Sequence, residues 1–204
     1  MKKTGIIIVA VIVVLVVAVG IWASKSYNSF VTLDQDVQQS WSQVEVQYQR
    51  RMDLIPNLVS TVQGYAAHES STFENVTRAR AGLSEAYNAA AADSAATPAD
   101  AAAFQRLNNA QGELNRALSI YVNAVREAYP DLKANTQFLD LQTQLEGTEN
   151  RIATARTRYN EVVRDYNVRI RRFPANIMAG MFGFDVKPQY EADAAAATAP
   201  RVQF

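Results

Sequence analysis

Apolar residues recur at intervals of three and four positions along the chain after residue 26, which is the spacing of one face of an α-helix. No strand-like alternation of any length occurs in the sequence. The first helical stretch covers about residues 27–90 and carries two apolar rows with a spacing of seven, Phe30, Val37 and Val44, and Trp41, Tyr48, Ile55 and Val62. Pro56 is expected to break or bend this helix, with Asp53 as the N-cap of a restarted segment.

A second long helix is predicted in the middle of the chain. Residues 89–97 lack large apolar side chains and are expected to form an exposed loop. Thr97 as N-cap and Pro98 as the first helical residue then provide a strong helix start, and the helix ends by Pro130. Its apolar face consists of Phe104, Leu107, Gln111, Leu114, Leu118, Tyr121, Val125 and Ala128.

The last long helix follows Asp131, ends at Pro174 and carries the most regular repeat. One row consists of Phe138, Leu145, Ile152, Tyr159, Tyr166 and Phe173, and a second row of Leu141, Thr148, Ala155 and Val162. This repeat is typical of packed helices with a left-handed superhelical tendency. Short loops favour a monomeric antiparallel bundle over an intermolecular coiled coil. The sequence therefore predicts an all-α fold, an antiparallel four-helix bundle with a long kinked first helix.

The amino-terminal segment has the length and composition of a membrane span. Between Lys3 and Lys25 lie 21 residues without a charge. As a helix this run reaches roughly 30 Å, the thickness of the hydrocarbon layer. It exceeds the apolar region of a cleaved signal peptide, so we expect an uncleaved single-pass anchor over residues 1–25. Lys2 and Lys3 favour a cytoplasmic amino terminus, which would place the helical domain outside the cytoplasm, in the periplasm of a bacterial inner membrane.

The rest of the chain divides into a helical domain over residues 26–174, an apolar segment over 175–190 and a disordered Ala-rich tail over 191–204. The apolar segment is a candidate interaction site because its large side chains are too apolar for free exposure to water: Ile177, Met178, Met181, Phe182 and Phe184. It is expected either to fold back on the bundle or to contact another subunit, a partner or the membrane surface.

Composition narrows the functional classes. The 20 Lys and Arg residues balance the 20 Asp and Glu residues, which argues against nucleic acid as the main partner. The chain has no Cys and one His, so thiolate chemistry and a metal site built on two His residues are excluded. His68 and Glu69 lack the spacing of a catalytic or metal motif. No catalytic residue, metal or cofactor is predicted.

Two polar clusters are candidates for binding. Arg50, Arg51, Asp53 and Asn57 lie three or four positions apart and could form a local salt-bridged network, which either stabilises the helix around the proline or docks a partner. The last long helix ends in Arg169, Arg171 and Arg172, whose charge suits the helix dipole. The same three arginines could bind lipid headgroups or an acidic partner.

Three segments resemble a known family. Residues 41–59, WSQVEVQYQRRMDLIPNLV, and residues 61–69, TVQGYAAHE, resemble the central signature of the LemA family, and residues 173–184, FPANIMAGMFGF, resemble its carboxyl-terminal block. The resemblance covers residues 27 to about 190 and includes the amino-terminal span. It implies an all-α domain of four helices on a single-pass anchor and supplies no biochemical activity. An extracellular amino terminus has been proposed for the family, opposite to the orientation that Lys2 and Lys3 favour.

These features favour a membrane-anchored structural protein, not an enzyme, that self-associates as a homo-oligomeric scaffold in the cell envelope. The alternative is an adaptor or regulator that binds another membrane protein, such as a protease or transporter, through the Arg50–Asn57 region. An enzyme would require an activity that depends on His68 or Glu69. The bilayer itself is the one partner that the sequence predicts directly.

Overall fold

The computed structural model describes residues 2–66, 74–92 and 99–191. These residues form five α-helices: α1 (Lys2–Ala66), α2 (Glu74–Ala92), α3 (Ala101–Ala128), α4 (Thr136–Arg171) and α5 (Ala175–Phe182). A short 3-10 helix, Pro130–Ala134, links α3 to α4. The described ranges contain no strand, so the all-α prediction is confirmed.

Helix α1 is continuous over 65 residues and passes through Pro56. The prediction of a restart at Asp53 is therefore wrong. The Asp53 carboxylate accepts a hydrogen bond from Gln49 Nε2 at 2.7 Å instead of capping a new helix. Ile55 and Leu58, on either side of the proline, are buried in the core, and their burial offsets the backbone hydrogen bond that proline cannot make.

The amino-terminal part of α1 is the one described helix that is long and apolar enough to cross a membrane. Every large apolar side chain from Ile6 to Val19 is more than half exposed, because no other part of the described chain packs against it. Exposed aliphatic side chains over this length suit lipid and not water. The arrangement fits a single-pass membrane protein.

Beyond the span, α1 packs along α4 in an antiparallel pair. Arg169 near the end of α4 lies beside Ser29, whereas Glu149 in its middle lies beside Arg51. Helix α3 packs against this pair, with Phe104 next to Trp41, and α2 packs mainly against α3. The seven residues of the two apolar rows predicted on α1 are all buried.

The buried side chains form two groups. The membrane-proximal core consists of Phe30, Val37, Trp41, Val44, Tyr48, Phe104, Leu107, Ile152, Tyr159, Val163, Tyr166, Ile170, Ala175 and Ala179. The distal core consists of Met52, Leu54, Ile55, Leu58, Val62, Leu83, Leu114, Leu118, Tyr121, Val125, Tyr129, Leu132, Phe138 and Leu145. Helices α1, α3 and α4 contribute to both cores, which makes the bundle one packed unit.

The first heptad row predicted on α4 is buried from Phe138 to Tyr166, whereas only Thr148 of the second row is fully buried. Val162 is half-buried, whereas its neighbour Val163 and Ile170 are buried, and Phe173 is 81% exposed. A straight α-helix drifts by about 20° per heptad relative to a strict seven-residue repeat. The second row on α4 therefore moves by one position near the end of the helix, and Phe173 lies beyond the last helical residue.

The start of α3 also differs from the prediction. Asp100 is the N-cap, and its side chain accepts hydrogen bonds from the amides of Ala102 and Ala103 at 3.0 Å. Thr97 and Pro98 lie outside the described residues, and α2 extends to Ala92, into the predicted loop. An aspartate carboxylate satisfies two free amides here and favours the positive end of the helix dipole, which explains the later start.

The cap gives a direct stability test. Replacing Asp100 with Ala removes both hydrogen bonds and is expected to lower the free energy of unfolding by about 1 kcal/mol. Asp100→Asn keeps an oxygen acceptor and should retain most of that stability. Thermal unfolding of the full chain in detergent, followed by circular dichroism, measures both variants. Equal destabilisation by Ala and Asn would contradict the assignment of the side-chain oxygen as the cap.

Candidate functional site

Arg51, one of the predicted interaction residues, lies inside the bundle and is 2% exposed. Its Nη1 donates to Oε2 of Glu149 on α4 at 2.9 Å. Its Nη2 donates to the backbone carbonyl of Gln111 on α3 at 3.3 Å and also to the side-chain oxygen of the same residue. One guanidinium therefore joins α1, α3 and α4 at the boundary between the two cores.

Burial lowers the pKa of Arg51, and the neighbouring Glu149 carboxylate acts in the opposite direction. An arginine stays charged even so, and the cost of removing the charge from water is offset by Glu149 and Gln111. Glu149 is itself 42% exposed, so water solvates part of its carboxylate. The Tyr48 ring lies 5.8 Å from the guanidinium carbon and adds a cation–π contact.

The predicted network of Arg50, Arg51, Asp53 and Asn57 does not form. Arg51 points into the bundle, whereas the other three side chains are exposed on the outside of α1. Asp53 binds Gln49 through its carboxylate and Asn57 through its backbone carbonyl. The burial of Arg51 could have been predicted from the sequence, because Arg51 lies seven positions after Val44 and therefore continues a row of buried residues.

An extended carboxyl-terminal strap, which we define as residues 184–191, lies along α4. Two asparagines of α4 hold its backbone, each with both atoms of its carboxamide. Asn167 exchanges hydrogen bonds of 2.9 and 3.0 Å with the backbone of Lys187, and Asn160 exchanges bonds of 2.9 and 2.8 Å with Tyr190. The strap follows α4 in the antiparallel direction, away from the span.

The strap ends in an aromatic cluster. The Tyr190 ring centroid lies 4.8 Å from that of Phe104 and 5.5 Å from that of Tyr159. Tyr48 donates a hydrogen bond to the Tyr190 hydroxyl at 3.1 Å, and the Arg156 guanidinium lies 4.8 Å from the Tyr190 ring centroid. Burial raises the pKa of Tyr190 and of Tyr159 well above the usual tyrosine range, so both phenols stay protonated at physiological pH.

Sequence reasoning missed the strap. Its signal was the pair Asn160 and Asn167, seven positions apart on the last helix, together with Pro188 and Tyr190 just before an Ala-rich tail. Two hydroxyl groups of α4 also bind the strap, Tyr166 to the carbonyl of residue 185 and Tyr159 to that of residue 188, each at 3.0 Å. Burial raises the pKa of Tyr166 to about 12.

Helix α5 and the first residue of the strap fold back against α1 and α4 at the end of the membrane span. Phe184 packs on Phe30, with ring centroids 5.3 Å apart, and Phe182 packs on Tyr27 at 5.0 Å. Met178 and Phe184 are half-buried. Ile177, Met181 and Phe182 are 56%, 73% and 52% exposed, so part of the predicted interaction segment is available for contact.

A groove of about 540 Å³ lies on the outer side of the α1–α4 pair. Only these two helices line it, through Gln39, Ser42, Gln43, Val46, Gln47, Arg151, Thr154, Ala155 and Arg158. Val46 is 61% exposed within it. The side-chain oxygen of Gln47 is shielded from water and has no hydrogen-bond donor in the part of the chain that the structure describes.

No three His, Asp or Glu side chains within residues 2–66, 74–92 and 99–191 lie close enough together to hold a metal ion. His68 and Glu69 lie outside the described residues.

Comparison with known proteins identifies related chains. The LemA family model matches residues 40–204. The magnetosome proteins MamQ 1 and MamQ 2 of Paramagnetospirillum magneticum are each 33% identical over 169 residues, covering 78% of this chain and 62% of the relative. Protein LemA of Metamycoplasma hominis is 23% identical over 152 residues, covering 74% and 63%. The chain thus spans less than two thirds of the length of these curated relatives.

The Arg51–Glu149 pair gives an asymmetric prediction. Glu149→Ala leaves a buried positive charge without its anion and is expected to lower the free energy of unfolding by about 2–3 kcal/mol. Arg51→Met removes the buried charge, fills similar space and leaves a carboxylate that water can reach, so it should cost about 1 kcal/mol or less. Denaturant unfolding of the full chain in detergent measures both.

The exposed pair Arg116–Glu113, with a distance of 2.7 Å, is the matched control, and Glu113→Ala should change stability by less than about 0.5 kcal/mol. The double variant of Arg51 and Glu149 should be no less stable than Arg51→Met alone. A larger loss for Arg51→Met than for Glu149→Ala would contradict this account of the buried charge.

Proposed function

This membrane-associated chain belongs to the LemA family, and we propose that it is a structural protein, not an enzyme, that self-associates as a membrane-anchored scaffold. The observation that carries the proposal is the continuity of α1, which joins an apolar span to the core of the bundle without a linker. The relatives described as magnetosome proteins support a role in a cellular structure. We further propose that α1 to α4 form an antiparallel four-helix bundle.

Rigid coupling to the span favours association between copies. A domain on a flexible linker would lose rotational freedom when it packs on a neighbour, and that loss opposes binding. A domain continuous with its span has already lost much of that freedom. Copies in one bilayer present the same surfaces at the same height, so even weak lateral contacts benefit from a high effective concentration.

The groove between α1 and α4 is the surface that we assign to this contact, with a second copy of the chain as its occupant. Its lining of Ser42, Thr154 and Ala155 is small enough for another helix to approach closely. The exposed side chain of Val46 lies among them, where a second copy would cover it.

Lys2 and Lys3 support placing the bundle outside the cytoplasm, on a bacterial inner membrane. The alternative function is an adaptor or regulator of another membrane protein, such as a protease or transporter. The exposed polar row of Arg50, Asp53 and Asn57 favours it, since all three side chains point away from the bundle.

Self-association through the groove can be tested by cross-linking, because the chain has no cysteine. We expect Val46→Cys to give covalent dimers with a bismaleimide reagent in native membranes. Ile120→Cys, on an exposed apolar residue of α3 outside the groove, is the matched control and should give few. Ser42→Cys provides a second position on the same face, so that failure of one cross-link geometry is not decisive.

Equal dimer yields at positions 42, 46 and 120 would contradict the groove as an interface. The adaptor would replace the scaffold as the proposed function if neither groove position gave dimers and both gave a reproducible adduct to a different protein, identified by mass spectrometry.

A further inference from the structure

Three of the four large apolar residues of helix α5, Ile177, Met181 and Phe182, are more than half exposed, whereas Met178 is half-buried. Ala175 and Ala179, four positions apart, are 2% and 3% exposed against α1 and α4. Ile177 and Met181, also four positions apart, are more than half exposed. A helix that packs only in water would bury Ile and Met and expose Ala, because burial of each large side chain contributes about 1.5–3 kcal/mol. The opposite arrangement indicates that α5 meets a second apolar medium.

The position of α5 relative to the span identifies that medium. Phe182 contacts Tyr27, which follows Ser24, the last residue of the uncharged run, by three positions. Three residues of helix rise by about 4.5 Å. The polar layer on each side of the hydrocarbon is about 5–7 Å thick. Because α1 is continuous here, α5 lies at the level of the lipid headgroups.

Exposed positive charge lies at the same level. Arg171 is the last residue of α4 and Arg172 follows it, and both line a cavity of about 360 Å³ together with Arg164. Arg164 pairs with Asp165 at 3.1 Å. Arg169 already has a partner within the bundle, since its Nε donates to Ser29 Oγ at 3.3 Å. Arg171 and Arg172 are therefore the residues best placed to meet a headgroup.

We propose that α5 is an interfacial helix, whose Ile177, Met181 and Phe182 enter the bilayer that the chain spans while Arg171 and Arg172 bind phosphates of anionic lipid headgroups. Positive charge is favourable at the carboxyl-terminal end of a helix, which by itself accounts for the presence of Arg171 and Arg172. It does not explain the exposed Ile and Met of the next helix, whereas contact with a lipid surface explains both.

The backbone after α5 fits this arrangement. Gly183 has φ +74° and ends the helix in a left-handed conformation that favours glycine. The Phe184 amide donates to the Ala179 carbonyl at 3.0 Å, and the chain then leaves as the strap, away from the span. The turn at Gly183 and the packing of Phe182 on Tyr27 thus hold the carboxyl-terminal end of the helix at the membrane level. This contact goes beyond the proposed scaffold and uses a different surface.

Depth measurement in a bilayer tests the proposal. The full chain with Met181→Cys carries a nitroxide label and is placed in phosphatidylcholine discs with and without phosphatidylglycerol. Power saturation with oxygen and a water-soluble nickel complex should place the label about 5–10 Å below the headgroup surface when phosphatidylglycerol is present. Leu139→Cys is the matched control on an exposed apolar residue at the distal end, and its label should stay in water.

The arginines are tested with the same label. Arg171→Gln with Arg172→Gln should abolish the effect of phosphatidylglycerol on the depth at position 181, whereas Arg116→Gln, an exposed arginine of α3, should leave it unchanged. Circular dichroism checks that helix content is preserved. Inorganic phosphate added to phosphatidylcholine discs should have no effect.

Three results would overturn the proposal. The label at position 181 could be as accessible to the nickel complex as the label at position 139 in both lipid compositions. Inorganic phosphate could reproduce the effect of the anionic lipid, which would indicate a soluble anion site. Dipolar broadening at position 181 that disappears on dilution with unlabelled protein would assign this face to a second copy. Each of these three results can be obtained whatever the outcome of the cross-linking test at Val46.

Discussion

The continuity of α1 is the constraint on which the rest of the structure depends. One helix places aliphatic side chains from Ile6 to Val19 on all sides and, from Phe30 onward, buries one face in protein. An α-helix has no soft internal joint, so the direction of that buried face is fixed relative to the span. The position of α4 along α1 follows, and with it the height of α5, the two exposed arginines and the groove above the membrane.

Polar contacts set the register within this frame. Apolar side chains would pack in several alignments of similar energy, but Arg51 can meet Glu149 and Gln111 in one alignment only. In some proteins a buried polar or ionic group selects the register at some cost in stability, and we infer the same role for Arg51. Asn160 and Asn167 act likewise on the strap, since each carboxamide matches one backbone position. The two cores thus supply the driving force, and a few polar side chains select the arrangement.

Burial along the helices could be predicted from the sequence, since periodicity directly reports which face is covered. The rows on α1 and the face of α3 from Phe104 to Val125 follow it closely. Predictions failed where tertiary contacts override local preference. Pro56 is kept inside a helix by the burial around it, and the stripe on α4 drifts from Val162 to Val163.

The residues of the candidate site could be predicted from the sequence, but their orientation and position in the fold could not. The sequence pointed to Arg51 and to the apolar block at Ile177 and Met181. It could not show that Arg51 turns inward, since that depends on Glu149 nearly a hundred positions away. Nor could it show that α5 lies beside Tyr27, which requires the fold of the whole bundle.

A distance between the span and the bundle tests the central claim most directly. Nitroxide labels at Val16→Cys and Arg50→Cys, both on exposed positions of α1, are separated by 34 residues. In lipid discs, with unlabelled protein in excess, pulsed electron resonance should give one narrow distance of about 51 Å, the length of 34 residues of continuous helix. A broad distribution at shorter distances would show a hinge between span and bundle and would contradict the account.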